Sequence, residues 1–175
     1  MADCEEAKPR SFPPNAVHLV RTTQQINIQL SQMADQKASI LMGATFVVFT
    51  ISVGQASRQG LSIALSVLII FAFLSAMLAV IAIMPAVRPK PQTQRNVLFF
   101  GWFTQISEDA YVEEVLDDLH DDEMIYRTML RDVYQNGQVL QFKKYRYLGY
   151  AYRVFLVGLV VTVVCLFGER LGWLV

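Results

Sequence analysis

Three apolar blocks that contain no charged residue dominate the hydrophobic pattern of the chain, at 38–56, 61–87 and 154–168. A helix rises about 1.5 Å per residue, so the first block covers roughly 28 Å, close to the thickness of the hydrocarbon core of a bilayer. The second block is longer and can cross with some tilt. The third is long enough if Arg153 extends its charged end towards the headgroups. The pattern predicts transmembrane helices over 38–57, 61–85 and 148–168.

A helical pattern also precedes the first span. Within 17–37, a stripe of residues recurs at spacings of three and four, and glutamines lie off it. The stripe comprises Leu19, Thr23, Ile26, Leu30, Met33 and Lys37. It is typical of a helix that packs against another helix, and this helix can run without a break into the first span. Two interpretations follow: the stripe packs on the chain's own helices, or it is a seam for self-association.

The region between the second and third spans, 86–147, has the pattern of amphipathic helices. Ser107, followed by two acidic residues, predicts a capped helix start. Asp121 and Asp122 are expected to end this helix and cap the next one. If the next helix continues from about Glu123 to Gly168, it is roughly 70 Å long and joins this region directly to the last span.

These elements predict an all-α membrane protein: three transmembrane helices with a cytosolic helical region between the second and third. A flexible tail is expected over 1–16 and an external tail over 169–175. The apolar or aromatic residues of 96–103 need a cover. They form either a hydrophobic core or interfacial anchor, or a pocket in which aromatic rings stack on a base.

Charge separates the two sides of the membrane. The 15 basic residues balance 15 acidic ones, which excludes a globally basic nucleic-acid binder. Most basic residues lie before the first span or within 86–147, whereas the other side has only Arg58 and Arg170. The positive-inside rule therefore predicts that the N-terminus and 86–147 are cytosolic and that the C-terminus is outside. Tyrosines before the last span and Trp173 after it suit an aromatic belt.

The usual signatures of catalysis are absent from the sequence. It contains no glycine-rich phosphate loop, CxxC pair, HExxH helix or nucleophile elbow. His18 and His120 are the only histidines and lie far apart, so no histidine-rich metal site is expected. The acidic run over 108–123 is best explained as a solvated helix face. We expect a protein that is not an enzyme and has no catalytic residue, metal or resident cofactor.

Asp35 and Lys37 lie within one turn of the first span. They are either ordinary interface anchors or interface and gating residues, with a polar lock to a residue such as Arg127 or Arg131. Small residues at four-residue spacing predict close helix packing, within one monomer or between copies. The pairs are Ser39 with Gly43, Ser62 with Ser66, Ala72 with Ala76, and Ser75 with Ala79.

Six short motifs outside the leading tail carry a resemblance to a known family. In the first half of the chain they are TQQIN at 23–27, ADQKA at 34–38 and LMGA at 41–44. In the second half they are DVYQNGQVL at 132–140, KKYRYL at 143–148 and AYRVF at 151–155. By these motifs the chain resembles the small Pycsar transmembrane effectors of bacterial anti-phage defence. The resemblance covers nearly the whole chain outside the leading tail.

The resemblance implies a two-gene system. A cognate pyrimidine cyclase makes cUMP or cCMP on infection, and the effector senses it and impairs the bacterial inner membrane, so that infection is abortive. With the N-terminus cytoplasmic, the C-terminus is then periplasmic. The cytosolic helices would have to build the nucleotide pocket, and Arg127 and Arg131, four apart on one helix, are the candidate ligand-binding residues for the phosphodiester. Lys143, Lys144 and Arg146 are better explained as anchors at anionic headgroups.

The lipid bilayer and a second copy of the chain, as a homo-oligomer when active, are the other expected partners. The alternative function is a non-enzymatic membrane adaptor or assembly protein, which binds a protein partner through the stripe or the acidic helix. A constitutive channel or transporter subunit is disfavoured, because the three spans contain no acidic or basic residue within the membrane.

Overall fold

The computed structural model describes residues 10–85 and 95–172, and 84% of these residues are helical. None of them lies in a strand, so the predicted all-α class is confirmed. The predictions for residues 1–9, 86–94 and 173–175, which include Trp173, fall outside the described residues.

Six α-helices and one π-helical segment follow one another in the described part of the chain. They are α1 Ala16–Gln59, α2 Ile63–Ile83, α3 Phe100–Phe103, α4 Glu108–Asp118, α5 Asp122–Val139, the π segment Leu140–Tyr145, and α6 Arg146–Arg170. Three helical stretches are long and apolar enough to cross a membrane: α1, α2 and the run Asp122–Arg170, which comprises α5, the π segment and α6. The prediction of three spans is confirmed.

Helix α1 begins well before the first apolar block, which confirms that the stripe-bearing helix runs unbroken into the first span. At its other end it runs further than the sequence pattern predicts, because the polar connection from residue 54 onwards is helical up to Gln59. The turn is confined to the next few residues. Gly60 has a left-handed φ of 87°, which a glycine adopts without a Cβ clash, and it ends the helix.

The described residues form two compact units. The span unit contains 29–85 and 138–172, and the interspan unit contains 10–28 and 95–137.

Small residues pack the span unit. Its buried positions include Ala34 and Ala38 on α1, Ala72, Ser75, Ala79 and Ala82 on α2, and Ala151 and Gly158 on α6. Ser75 Oγ donates a 2.8 Å hydrogen bond to the carbonyl of Ala151, which joins α2 to α6. Small side chains let backbones approach closely in lipid, where helix association depends on packing and hydrogen bonds. The small-residue spacing of α2 thus serves packing within the monomer.

At the end of the span unit next to Gly60, two side chains bind the first amides of α2. Ser62 Oγ accepts from the Leu65 amide at 3.2 Å and caps α2. Glu169, near the end of α6, accepts from the Ala64 amide at 3.0 Å. A carboxylate at a helix N-terminus complements the helix dipole, so the end of α6 stabilises the start of α2.

The interspan unit confirms the two predicted helix starts. Ser107 Oγ accepts from the Ala110 amide at 3.3 Å and caps α4. Asp121 Oδ1 accepts from the Glu123 amide at 3.1 Å and begins α5. Short polar side chains just before an apolar periodic segment satisfy amides that have no partner inside the helix, which is why these starts were predictable.

Asn96 organises the polar core of the interspan unit. It is 3% exposed, and its amide nitrogen donates to Asp132 at 3.1 Å and to Gln135 at 3.0 Å. Its side-chain oxygen accepts from the Leu98 amide at 3.0 Å. Asp132 also accepts from Gln24 of α1 at 3.4 Å. One buried amide therefore fixes the start of the aromatic segment against α5.

The aromatic segment contributes to the core of the interspan unit. Val97 is 5% exposed, and the ring of Phe103 packs on that of Tyr111 with centroids 5.1 Å apart. The core interpretation of this segment is therefore supported, although Leu98 and Phe100 remain exposed.

The stripe of α1 does not pack as a seam on the chain's own described helices. Leu19, Ile26 and Met33 are 73%, 49% and 47% exposed, whereas Val20, beside the stripe, is buried. Polar side chains make the contacts of this part of α1, since Asn27 donates to the carbonyl of Val133 at 3.1 Å. The packing interpretation of the stripe is wrong, and self-association stays a prediction.

Candidate functional site

The π segment is the most unusual backbone feature of the span unit. It interrupts the regular helix between α5 and α6 at Leu140–Tyr145. Such wide turns are rare and occur frequently at functional sites, because they change the register of the side chains on either side. Three consecutive residues of this segment, Lys143, Lys144 and Tyr145, contact the other two spans.

Lys144 binds α1. Its Nζ lies 2.8 Å from Asp35 Oδ1, 2.7 Å from Asp35 Oδ2 and 2.7 Å from Ser31 Oγ. The side chain of Lys144 is 20% exposed and that of Asp35 is 44% exposed. All three ammonium donors can thus be used, and a charge-assisted contact of this kind is stronger than a bond between neutral groups.

Lys143 and Tyr145 extend this contact. Lys143 Nζ donates to the carbonyl of Met84 at 2.8 Å, where α2 ends, so a cation lies at the negative end of the helix dipole. Tyr145 Oη donates to the carbonyl of Leu30 on α1 at 3.3 Å. We call Ser31, Asp35, Lys143, Lys144, Tyr145 and these two carbonyls the clasp. It joins all three spans at one end.

The structure gives Asp35 a different partner from the predicted one. Asp35 does form a polar lock, but with Lys144, and the prediction of Arg127 or Arg131 as its partner is wrong. Lys144 binds both carboxylate oxygens of Asp35, and the two arginines donate to other acceptors. Lys37 is exposed, and the contact made at this residue is through its backbone carbonyl, which accepts from Tyr152 Oη at 3.2 Å.

The two candidate ligand-binding arginines lie on α5 in different surroundings. Arg127 is exposed and donates to Glu123 Oε1 from Nε at 2.9 Å and from Nη2 at 2.5 Å. Arg131 donates to the carbonyl of Arg95 at 2.9 Å. Only Arg131 lines the cavity of about 480 Å³ in the interspan unit. The four-residue spacing therefore does not bring both guanidinium groups to this cavity.

The cavity at Arg131 has mixed charge. Arg95, Thr128 and Arg131 lie at its wall together with the carboxylates of Glu113, Glu114, Asp117 and Asp118. Arg95 forms an ion pair with Glu114. A ligand that fits here presents one anionic group to the arginines and several N–H or O–H donors to the carboxylates. In the described part of the chain, no cluster of three or more His, Cys, Asp or Glu side chains could hold a metal ion.

Sequence reasoning missed Lys144 as a functional residue, because lysines beside a span are usually headgroup anchors. One signal was present: Asp35 is an acidic residue close to the first span, and such a residue needs a cationic partner near the same end of another span. Lys143 and Lys144 precede the third span at a similar distance.

A family model described as PycTM, Pycsar effector protein domain, matches residues 18–168. The match covers most of both units and every residue of the clasp. No match was found among curated proteins or among solved structures.

Proposed function

The chain belongs to the Pycsar effector protein domain family, and from this premise we propose that cUMP or cCMP activates it by releasing the clasp, after which the spans rearrange and impair the membrane. It is a membrane protein and an effector of the Pycsar anti-phage system. In the proposal the cyclic nucleotide comes from a cognate pyrimidine cyclase, the membrane is the bacterial inner membrane, and loss of its integrity makes the infection abortive.

The clasp is the observation that supports this mechanism most directly. Spans that are to move must separate at the contacts that hold them, and the clasp holds all three by a few polar bonds. At the edge of a bilayer, bonds to water can replace these polar bonds. Water cannot replace the packing of small residues further along α2 and α6.

The same helical run links the clasp to the nucleotide site that we propose. α5 carries Arg131 and ends where the π segment with Lys144 begins. A ligand shifts a conformational equilibrium only if it binds the two states with different affinity. A nucleotide that favours another position of α5 would therefore change the π segment and weaken the bond from Lys144 to Asp35.

Arg131 and Arg95 are the proposed partners of the phosphodiester. Binding would replace the bond from Arg131 to the carbonyl of Arg95 by a charge-assisted one. The carboxylates of Glu113 and Asp117 would accept from the ribose hydroxyl and from base N–H groups. Arg127 would have to break its bond to Glu123 before it could bind the phosphodiester, so we rank it after Arg131 and Arg95. No covalent step is needed, and the protein acts without being an enzyme.

The orientation follows from the same proposal. A cytosolic cyclase delivers its product to the cytosol, so the interspan unit and the N-terminus are placed there and the C-terminus in the periplasm. The excess of Lys and Arg in these segments agrees with this orientation.

Dye release from proteoliposomes tests the proposal. Purified full-length protein is reconstituted with an encapsulated fluorophore, and cUMP, cCMP or cAMP is added to the side that faces the interspan unit. We expect release with a pyrimidine nucleotide and little with cAMP. Arg131→Gln should abolish the response and Arg170→Gln, a matched loss of one exposed arginine, should keep it. Absence of nucleotide-dependent release together with absence of binding by calorimetry contradicts the proposal.

An adaptor function is the second candidate, because the exposed apolar residues of the α1 stripe offer a surface for a protein partner. Crosslinking from Gln25 or Gln29, which flank that stripe, separates the possibilities. A stable hetero-partner in uninfected cells favours the adaptor. A crosslink between two copies of the chain, strengthened by nucleotide, favours a homo-oligomeric effector.

A further inference from the structure

A second cavity lies in the span unit, at the start of α6. It has a volume of about 440 Å³, and its wall includes Phe142, Tyr145, Arg146, Gly149, Tyr150 and Arg153. Two of its lining residues are arginines and none is acidic, which distinguishes it from the acidic cavity of the interspan unit.

The two arginines face the cavity without a carboxylate partner. Arg146 Nε lies 3.4 Å from Tyr150 Oη, and Arg146 Cζ lies 5.8 Å from the centre of the Tyr150 ring, so this guanidinium extends along α6 in the direction of Arg153. Among the described residues, neither guanidinium forms an ion pair with a carboxylate. Their positive charge is therefore available to a ligand.

Gly149 provides the space between them. A Cβ built at this residue would have no atom within 4 Å, so the groove beside the helix is open here. A planar guanidinium on each side of an open groove suits a phosphate group, which accepts several N–H bonds at once.

The sequence around the cavity suits the depth of lipid headgroups in a bilayer. Arg153 is the last charged residue before the uncharged block 154–168, which forms the apolar part of the third span. Phe142 and Tyr150 are 54% and 41% exposed beside it. Exposed aromatic rings at this boundary are typical of contact with the interfacial region of a bilayer.

We propose that this cavity binds the phosphate of an anionic phospholipid headgroup between Arg146 and Arg153. Free inorganic phosphate or a nucleotide phosphate has the same chemistry, but only a lipid is held at this depth by the bilayer itself, and basic pockets beside spans recognise anionic headgroups. The bound lipid would contact the residues that follow Lys144 and Tyr145. It would therefore stabilise the start of the third span next to the clasp. This site does not depend on the activating nucleotide.

Native mass spectrometry of the full-length protein tests the site. The protein is released from micelles that contain equal amounts of phosphatidylglycerol and phosphatidylcholine with the same acyl chains. We expect wild type to retain phosphatidylglycerol preferentially. Arg146→Gln with Arg153→Gln should reduce this preference about 30-fold, since each cation near an anionic surface contributes about 1 kcal/mol. Arg170→Gln, at the other end of the same helix, should keep it.

A second variant removes the space and leaves the charges. Gly149→Leu adds a side chain to the open groove, at a residue where a Cβ meets no atom within 4 Å, and should also reduce retention of phosphatidylglycerol, while circular dichroism stays that of wild type. An unchanged preference in the double arginine variant overturns the proposal, as does an equal loss with Arg170→Gln. Displacement of the lipid by millimolar inorganic phosphate or cUMP overturns the lipid as occupant in favour of a soluble phosphate.

Discussion

Replacing Lys144 by methionine removes the charge of the clasp and keeps most of the side-chain volume. Lys144 donates to both oxygens of Asp35 and to Ser31, all within 2.8 Å. Hydrogen bonds between charged groups contribute about 1.5–3 kcal/mol, whereas exposed ion pairs contribute about 0.2–1 kcal/mol. The side chains of Lys144 and Asp35 are 20% and 44% exposed, so the energy of this contact lies between these two ranges. We take its contribution as about 1–2 kcal/mol.

This magnitude sets the expected change in function. If the clasp stabilises the resting arrangement of the spans, its loss raises the ratio of rearranged to resting protein about 5–30-fold, since about 1.4 kcal/mol corresponds to tenfold. Proteoliposomes that contain Lys144→Met should therefore leak dye without nucleotide, at an initial rate raised by a similar factor. The measurement is fluorophore release at equal protein-to-lipid ratio, after circular dichroism has shown equal helix content.

Charge exchange distinguishes the ion pair from a general effect of the substitution. Lys144→Asp places two carboxylates together and should leak more than Lys144→Met. Combining it with Asp35→Lys restores opposite charges and should return leakage towards wild type. Lys37→Met removes a nearby exposed lysine that forms no ion pair in the described part of the chain, and should not leak.

Two results would refute the reasoning. The first is a Lys144→Met protein of normal helix content that leaks no more than wild type. The second is an exchanged double variant that leaks as much as Lys144→Asp, because the opposite charges would then have no effect on the resting state.

Three further substitutions test the packing of the two units. Gly158→Val should lower the free energy of unfolding by about 1–3 kcal/mol, measured by thermal unfolding in micelles, because a Cβ at this residue would lie 2.7 Å from Phe71 Cγ. Asn96→Ala should cost about 1–3 kcal/mol, since it leaves Asp132 without a buried donor, and amide exchange should become faster across α5. Ser107→Ala removes a helix cap and should cost about 1 kcal/mol, seen as faster amide exchange in the first turn of α4.

Two of these substitutions have a control in the same unit. Gly43→Ala on α1 adds a Cβ with no atom within 4 Å and should not destabilise the span unit. Asn136→Ala replaces an exposed amide on α5 and should leave exchange unchanged. Equal effects of Gly158→Val and Gly43→Ala would contradict the close contact of α2 with α6.

Local signals in the sequence were sufficient to predict the three spans and the starts of α4 and α5. The spans were predictable because an uncharged stretch of sufficient length has no stable alternative to crossing the bilayer. Ser107 and Asp121 were predictable as caps because each satisfies amides within three residues. The continuity of α1 followed from the lack of any helix-breaking residue between its stripe and the first apolar block.

The sequence was less informative about which helix faces are buried and what they contact. In one of its two interpretations the α1 stripe packs on the chain's own helices, yet Leu19 and Ile26 are exposed and Val20 is buried. Periodicity identifies an apolar face but does not say which neighbour covers it, and in a membrane protein an uncovered face can be matched by lipid or by a second copy. The same limit explains why Arg127 and Arg131 share a helix but only Arg131 lines the cavity of the interspan unit.

The sequence by itself determined an all-α membrane protein with three spans, its capped helices and its family, because these depend on residue type over short distances. Only the tertiary structure decided that Lys144 binds Asp35 and that Lys143 binds the end of α2. Several cations near the spans could have paired with Asp35, and the partner that does is 109 residues away along the chain. That choice depends on how the π segment turns its side chains towards α1, which no local pattern encodes.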